Sequence, residues 1–320
     1  MNAHLKRRLF VLSGILAIVA LCGILKGSVN IPFTQLLLKE NQPIVNLRIL
    51  RILVAIVAGS GLAASGVVLQ AILRNSLAEP YLLGTSSGAG LGAVIAIIIG
   101  ASGLYLPLAA FIGAISSIVL VYNLARQNNK IPEQSLILSG VIISVALSAI
   151  MVFLISISSN EVLHSITWWL WGNLQIYDVR LLLTAGIIVF SGIIAIYIFS
   201  QDLNAISLGE EEAMHLGIDV EATKKILILI TSVIISSVVC ICGIIGFVGL
   251  MIPHMMRLVV GPNHKVLIPA TCLAAAVFMV ACDLLSRIIF PPLEIPIGVI
   301  TAILGAPTFI FLLKRSQRTR

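Results

Sequence analysis

Polar interruptions divide this chain into apolar runs of recurring length. A bilayer's hydrocarbon core is about 30 Å thick, which a helix crosses in about 20 residues. Runs near that size occupy 9–26, 50–71, 82–100, 104–125, 134–157, 180–200, 225–245, 247–261, 266–289 and 297–313. The pattern predicts an all-α polytopic membrane protein with about ten transmembrane helices in one domain, residues 1–320. The eighth run is short and broken by polar residues, so the count is weakest there. Lys6-Arg7-Arg8 ahead of the first run imitates a signal peptide, but no A-x-A cleavage site follows, and Leu21 before Cys22 does not suit a lipoprotein. The segment reads as an uncleaved first span.

The polar stretches between the runs differ in character. Residues 158–179 hold all three tryptophans, Trp168, Trp169 and Trp171, which predicts a short helix at the outer interface, where indole rings settle. A gate at the mouth of a pathway is the functional alternative. Residues 201–222 are the most acidic part of the chain and must lie outside the bilayer. Within them, helix formers around Glu210–Leu216 lie between Gly209 and Gly217, so a short helix stopped by Gly217 is expected.

Composition agrees with the run pattern. Hydrophobic residues are 59% of the chain and charged residues 10%, against roughly 45–50% and 25% in soluble domains. Mean hydropathy is +1.12. A soluble enzyme, a disordered chain, a fibrous repeat and a disulfide scaffold are excluded. The net charge of +7 comes without a basic tract and with only 6% aromatics, so nucleic acid is not the expected partner. The basic residues are sorted instead. Lys6, Arg7, Arg8, Arg74, Arg126, Lys130, Lys224, Lys225, Arg257, Lys265, Lys314, Arg315, Arg318 and Arg320 fall on one side, and Lys26, Lys39, Arg48, Arg51, Arg180 and Arg287 on the other. The larger group marks the cytoplasm, so both termini are expected inside. The five cysteines lie in apolar runs without C-x-x-C spacing and read as inert thiols.

Motifs exclude more than they identify. There is no G-x-x-x-x-G-K-[ST] loop to cradle nucleotide phosphates, no H-E-x-x-H and no G-x-S-x-G. No cofactor or metal site is expected. Gly84, Gly88 and Gly92 recur every four residues, a spacing that lets another helix approach closely. His254 and Arg257 share a helical face, with a structural or interfacial role expected. Asp283 and Arg287, four apart, predict an ion pair, because an intramembrane carboxylate is costly alone. Arg48 and Arg51 share one face on the side where positive charge is disfavoured. They fit either lipid headgroups or an acidic partner.

Residues 48–90, RILRILVAIVAGSGLAASGVVLQAILRNSLAEPYLLGTSSGAG, resemble the signature R-x-P-R, G-x-x-L-A-x-S-G-x-x-x-Q, N-P-L-A-x-P-x-L-L-G-x-S-x-G-A of FecCD/BtuC-like permeases, which import ferric siderophores, haem and vitamin B12. LGEEEAMHLG (208–217), GFVGLMIPHMMRLVVG (246–261) and LEIPIGVITAILGAPTFIFLL (293–313) extend the resemblance in order. It implies the type II architecture of ATP-binding cassette (ABC) importers. Two identical or closely homologous subunits would form one path by alternating access, driven by two cytoplasmic ATPase subunits and loaded by an extracytoplasmic binding protein, in the bacterial cytoplasmic membrane. By the same resemblance Arg48, Arg51 and Arg287 would dock the binding protein, and Leu208, Gly209, Glu210, Ala213, Leu216 and Gly217 would contact the ATPase. Gln70, Asn75, Trp168, Trp169 and Trp171 are path or gate candidates. Leu50 and Ser76 stand where the family has proline. The expected cargo is a ferric siderophore, with cobalamin or haem as alternatives. In a different class, an ion-coupled secondary transporter would rest on Asp283.

Overall fold

The computed structural model describes residues 3–29, 31–35, 38–127, 130–176 and 178–318. Arg320, one of the basic residues expected inside, lies outside them, as do the side chains of Lys6, Arg315 and Arg318. Thirteen α-helices follow one another among the described residues. They are α1 (Ala3–Leu25), α2 (Gln42–Ile72), α3 (Thr85–Ile98), α4 (Tyr105–Ala125), α5 (Glu133–Ser156), α6 (Asn160–Leu170), α7 (Val179–Ile198), α8 (Ser200–Ile206), α9 (Glu210–His215), α10 (Val220–Cys242), α11 (Val248–Val260), α12 (His264–Ile288) and α13 (Ile297–Arg318). No strand occurs among the described residues, only an isolated bridge between Gln127 and Lys130.

Each of the ten apolar runs is helical, and the three remaining helices, α6, α8 and α9, fall in the two polar stretches. Seven helices are long and apolar enough to cross a membrane, namely α1, α2, α4, α5, α7, α10 and α12. The apolar stretches 85–98, 248–260 and 297–312 are shorter. At 1.5 Å per residue, the 14 residues of α3 and 13 of α11 span roughly 20 Å, less than a hydrocarbon core. Their shortness has a local cause. α3 begins only after Gly84, which takes the left-handed conformation at φ +77°. α10 ends at Gly243, also left-handed at φ +69°, and the backbone runs non-helically to Val248.

Irregular backbone at that depth is tolerated only where protein satisfies it. Here the Tyr81 hydroxyl donates to the Ile245 carbonyl and accepts from the Ile245 N–H, at 3.1 and 3.2 Å. The Phe247 N–H donates to Glu79 at 3.1 Å, and the Asn173 N–H to the Cys242 carbonyl at 2.8 Å.

α2 is the axis of the bundle. From Val54 to Ile72 it is largely buried among α12, α10, α11 and α7, and small residues set the closeness of the packing. A Cβ on Gly59 would meet the Ala275 carbonyl at 2.6 Å, and one on Gly66 would overlap the Gly249 carbonyl. By contrast α1 and α5 lie at the periphery, with 6% and 17% of their apolar windows buried. α1 packs mainly on α12, and α5 on α3, α4 and the short turn Pro80–Leu83.

Candidate functional site

At the end of the bundle where α2 begins, Arg48, Arg51 and Arg287 come together, as their shared assignment requires. They do so inside the protein, at 4%, 7% and 2% exposure. This differs from the outstretched arginines that a docking face would present. The reason lies in α1. A helix C-terminus leaves its last carbonyls without partners and carries partial negative charge. Arg48 donates to the carbonyls of Ile24 at 2.8 Å and Leu25 at 3.3 Å, and also to Val29. Arg287 donates to Gly23 at 3.1 Å and Lys26 at 3.2 Å. Two guanidinium groups thus cap α1. Gly27 makes room for them, since a Cβ there would stand 2.9 Å from the Arg48 guanidinium.

Arg51 completes the cluster with carboxylates. Its Nε donates to Asp283 at 2.9 Å and a terminal nitrogen donates to Glu294. Asp283, fully buried, also contacts Arg287 at 2.8 Å, the i, i+4 pair expected from spacing. That last contact is close but off line for a hydrogen bond, leaving Asp283 Oδ2 and an Arg287 terminal nitrogen without aligned partners. Glu294 lies in the loop before α13 and further accepts from Ser28 at 3.0 Å and Gln175 at 2.8 Å. Burial alone would raise its carboxyl pKa. The hydrogen bond and charge of Arg51, with Ser28 and Gln175, outweigh that and hold it below its ordinary value. Two cavities of about 510 and 110 Å³ meet at Arg51 and Glu294. Glu294 was not anticipated, though it is the sole acidic residue after Asp283.

Trp168 and Trp171 stand partly exposed on and beside α6, edge to face with ring centroids 6.2 Å apart, and Trp168 lines the larger cavity. Gln70 is buried and donates to the Leu250 carbonyl at 3.1 Å. Asn75 is exposed at the other end of α2, where its side chain accepts from the Leu77 N–H in a local turn. Gly88 and Gly92 do serve packing, because a Cβ at either would strike the Gly113 or Ala109 carbonyl of α4. Gly84 instead supplies the turn before α3, and its carbonyl accepts from Ser117 at 2.9 Å. His254 stacks edge-on to Phe309, 6.2 Å away, without a hydrogen-bond partner among the described residues.

The opposite end carries the acidic segment. α8 is fixed to α12 through Asn204, which accepts from the His264 N–H at 2.8 Å. α9 then stands out from the bundle. It stops as expected at Gly217, φ +81°, where Ile218 N–H bonds the Ala213 carbonyl and Gly217 N–H the Met214 carbonyl, the two bonds of a Schellman motif. Ala213 is buried beneath Ile218 and Val220, while Leu208, Met214 and Leu216 are 75%, 56% and 68% exposed. Glu210 faces inward to Lys224 at 2.8 Å. Glu211 and Glu212 face outward.

These observations define a multi-pass membrane protein without a nucleotide-binding loop, carrying an ion-paired cluster at one end and an exposed acidic–apolar helix at the other. The FecCD transport family model matches residues 15–315, and the chain belongs to that family, the permease subunits of ABC importers in the inner membrane. It is 40% identical over 277 residues to the cobalamin import system permease protein BtuC of Halobacterium salinarum, covering 84% of this chain and 72% of the relative. It is 32% identical to the hemin transport system permease protein HmuU of Yersinia pestis, over 100% of this chain and 99% of that one. A solved structure described as an inward-facing conformation of a metal-chelate type ABC transporter superposes with a TM-score of 0.90 at 34% identity, covering 97% of this chain and 99% of the other.

Proposed function

We propose that the chain carries a metal chelate across the cytoplasmic membrane by alternating access, as one of two permease subunits, identical or closely homologous. Each subunit has ten membrane helices with both termini inside. Two ATPase subunits bind at the α9 end, in the cytoplasm, and an extracytoplasmic protein delivers the cargo at the arginine end.

The observation that carries this reading is α9. A membrane protein that presents Leu208, Met214 and Leu216 to solvent beside Glu211 and Glu212, and has no phosphate-binding loop of its own, is built to receive an ATPase. Exposed apolar side chains grouped on and beside a short exposed helix mark a protein contact. At the other end, three guanidinium groups against the two carboxylates Asp283 and Glu294 leave one positive charge. Arg48, Arg51 and Arg287 then attract an acidic binding protein as a fixed field, which steers association.

Ferric siderophore is the proposed cargo. Cobalamin is the second reading, favoured by the 40% identity to a permease named for it. The ion-coupled alternative is not adopted, because its one candidate, Asp283, is fully buried between Arg51 and Arg287. The test is uptake into proteoliposomes holding the chain, its ATPase and its binding protein, with ferrichrome, cyanocobalamin and haemin as probes. ATP-dependent accumulation of one probe is expected. Uptake driven by a proton gradient without ATP would refute the proposal.

A further inference from the structure

Lysine is almost never fully buried unless paired, yet Lys224, on α10, is 1% exposed. Three segments meet on its ammonium group. It donates to Glu210 at the start of α9 at 2.8 Å, to Glu221 one turn earlier on α10 at 3.2 Å, and to the Ile131 carbonyl at 2.9 Å. Ile131 lies in the turn between α4 and α5, itself buried at 3% exposure. Its N–H is held by the second oxygen of Glu221 at 3.0 Å. Both backbone groups of one residue are therefore gripped by side chains of α10, and the same lysine grips α9.

The two residues after Ile131 make that grip mechanical. Pro132 comes next, with its ring fixing φ, and Glu133 opens α5 and pairs with Arg74 at 2.7 Å. A displacement of Ile131 has no flexible linker in which to dissipate before α5 begins. α5 is also a helix positioned to respond. Its apolar window is 17% buried, whereas those of α10 and α12 are each 61% buried.

We propose that Lys224 is the positioning residue that passes movement of α9 to α5, through Ile131. The inference rests on the proposed ATPase contact at α9 and adds to it the path by which that contact shifts a membrane helix. Glu210 carries the input, Lys224 the junction and the Ile131 carbonyl the output. The lysine ammonium has three donors, one each for Glu210, Glu221 and the Ile131 carbonyl. Arginine can replace lysine in this role, whereas methionine, with no donor, cannot.

The experiment uses the assembled permease and ATPase in nanodiscs. Spin labels are placed at Val145→Cys on α5 and Ile187→Cys on α7, both exposed, in a Cys22→Ser background that removes the exposed native thiol. The α5–α7 distance distribution is recorded without nucleotide and with ATP and vanadate. In the wild type, nucleotide shifts the distribution, and Lys224→Arg keeps the shift. With Lys224→Met the shifted population falls by about threefold or more, the scale of coupling mutations along such networks, while the ATPase still copurifies. Glu210→Gln tests the α9 half alone if Lys224→Met does not fold, and it too reduces the shift. A shift that survives Lys224→Met, or Glu210→Gln in its place, overturns the relay alone. Failure of the wild type to bind the ATPase overturns the functional proposal and the relay with it.

Discussion

Asp283→Asn tests whether the arginine cluster is held together from within. The substitution keeps shape and removes one charge at a position with no solvent exposure. Arg51 retains Glu294 as counter-ion, at side-chain exposures of 8% and 24%. Arg287, at 2%, retains only the carbonyls of Gly23, Lys26 and residue 283. Removing one partner of a buried pair costs about 3–5 kcal/mol. The surviving Glu294 contact places this case near the lower figure, so a loss of about 3 kcal/mol is expected. Asp283→Asn with Arg287→Met removes both buried charges. What remains lost are two hydrogen bonds capping α1, each worth about 1 kcal/mol, and the charge of Asp283 on Arg51, which keeps Glu294. The double variant is therefore expected to be more stable than Asp283→Asn alone, which non-interacting residues would not show. Unfolding in mixed detergent micelles, followed by tryptophan fluorescence, measures the set. A loss below about 1 kcal/mol for Asp283→Asn, or a double variant weaker than the single by the full cost of Arg287→Met, would refute internal pairing and return the arginines to an outward role.

Three further outcomes are expected. Glu294 has a depressed pKa, so its contribution is present above the ordinary carboxylate value of 4.5 and lost as pH falls through the lower folded value. Melting temperatures across pH 6 to about 3 will show an acid loss that Glu294→Gln abolishes. Gly217→Val places a β-branched side chain at φ +81°, which costs about 1–2 kcal/mol and distorts the end of α9. Reduced copurification of the ATPase with unchanged melting of the bundle is the expected readout. Gly92→Val drives a side chain into the Ala109 carbonyl, with a loss of about 1–3 kcal/mol, measured as lower thermal stability in detergent.

The seven long apolar helices were legible because run length is read directly from the chain and the bilayer sets one scale for them. Local chemistry was legible too. The stop at Gly217 and the Asp283–Arg287 pair depend on spacings of a few residues. The arginine cluster was half legible. Spacing put Arg48 and Arg51 on one face, and the resemblance grouped them with Arg287, but Arg48 and Arg287 bond carbonyls at the end of α1, to which no side chain draws attention, and Arg51 finds Glu294 from 243 positions away. The partner of Gln70 was hidden for the same reason, since it is the Leu250 carbonyl, 180 positions away. Gly84 shared the four-residue spacing of Gly88 and Gly92, yet a left-handed φ ended the helix before that spacing could act. Lys224 looked like one more inside charge, and only the fold of α9 and the α4–α5 turn around it buries it.

The capping of α1 by Arg287 also orders the birth of the protein. Gly23 and Arg287 are separated by 264 residues, so the first helix leaves the ribosome long before its second clasp exists. Arg48 can close on Ile24 and Leu25 once α2 emerges, but Arg287 reaches Gly23 only after α12 has entered the membrane. Until then α1, with 6% of its apolar window covered in the finished fold, has only the Arg48 half of its cap and lacks the α12 face on which it packs. A chain cut short before α12 therefore leaves the Gly23 and Lys26 carbonyls without the guanidinium that donates to them.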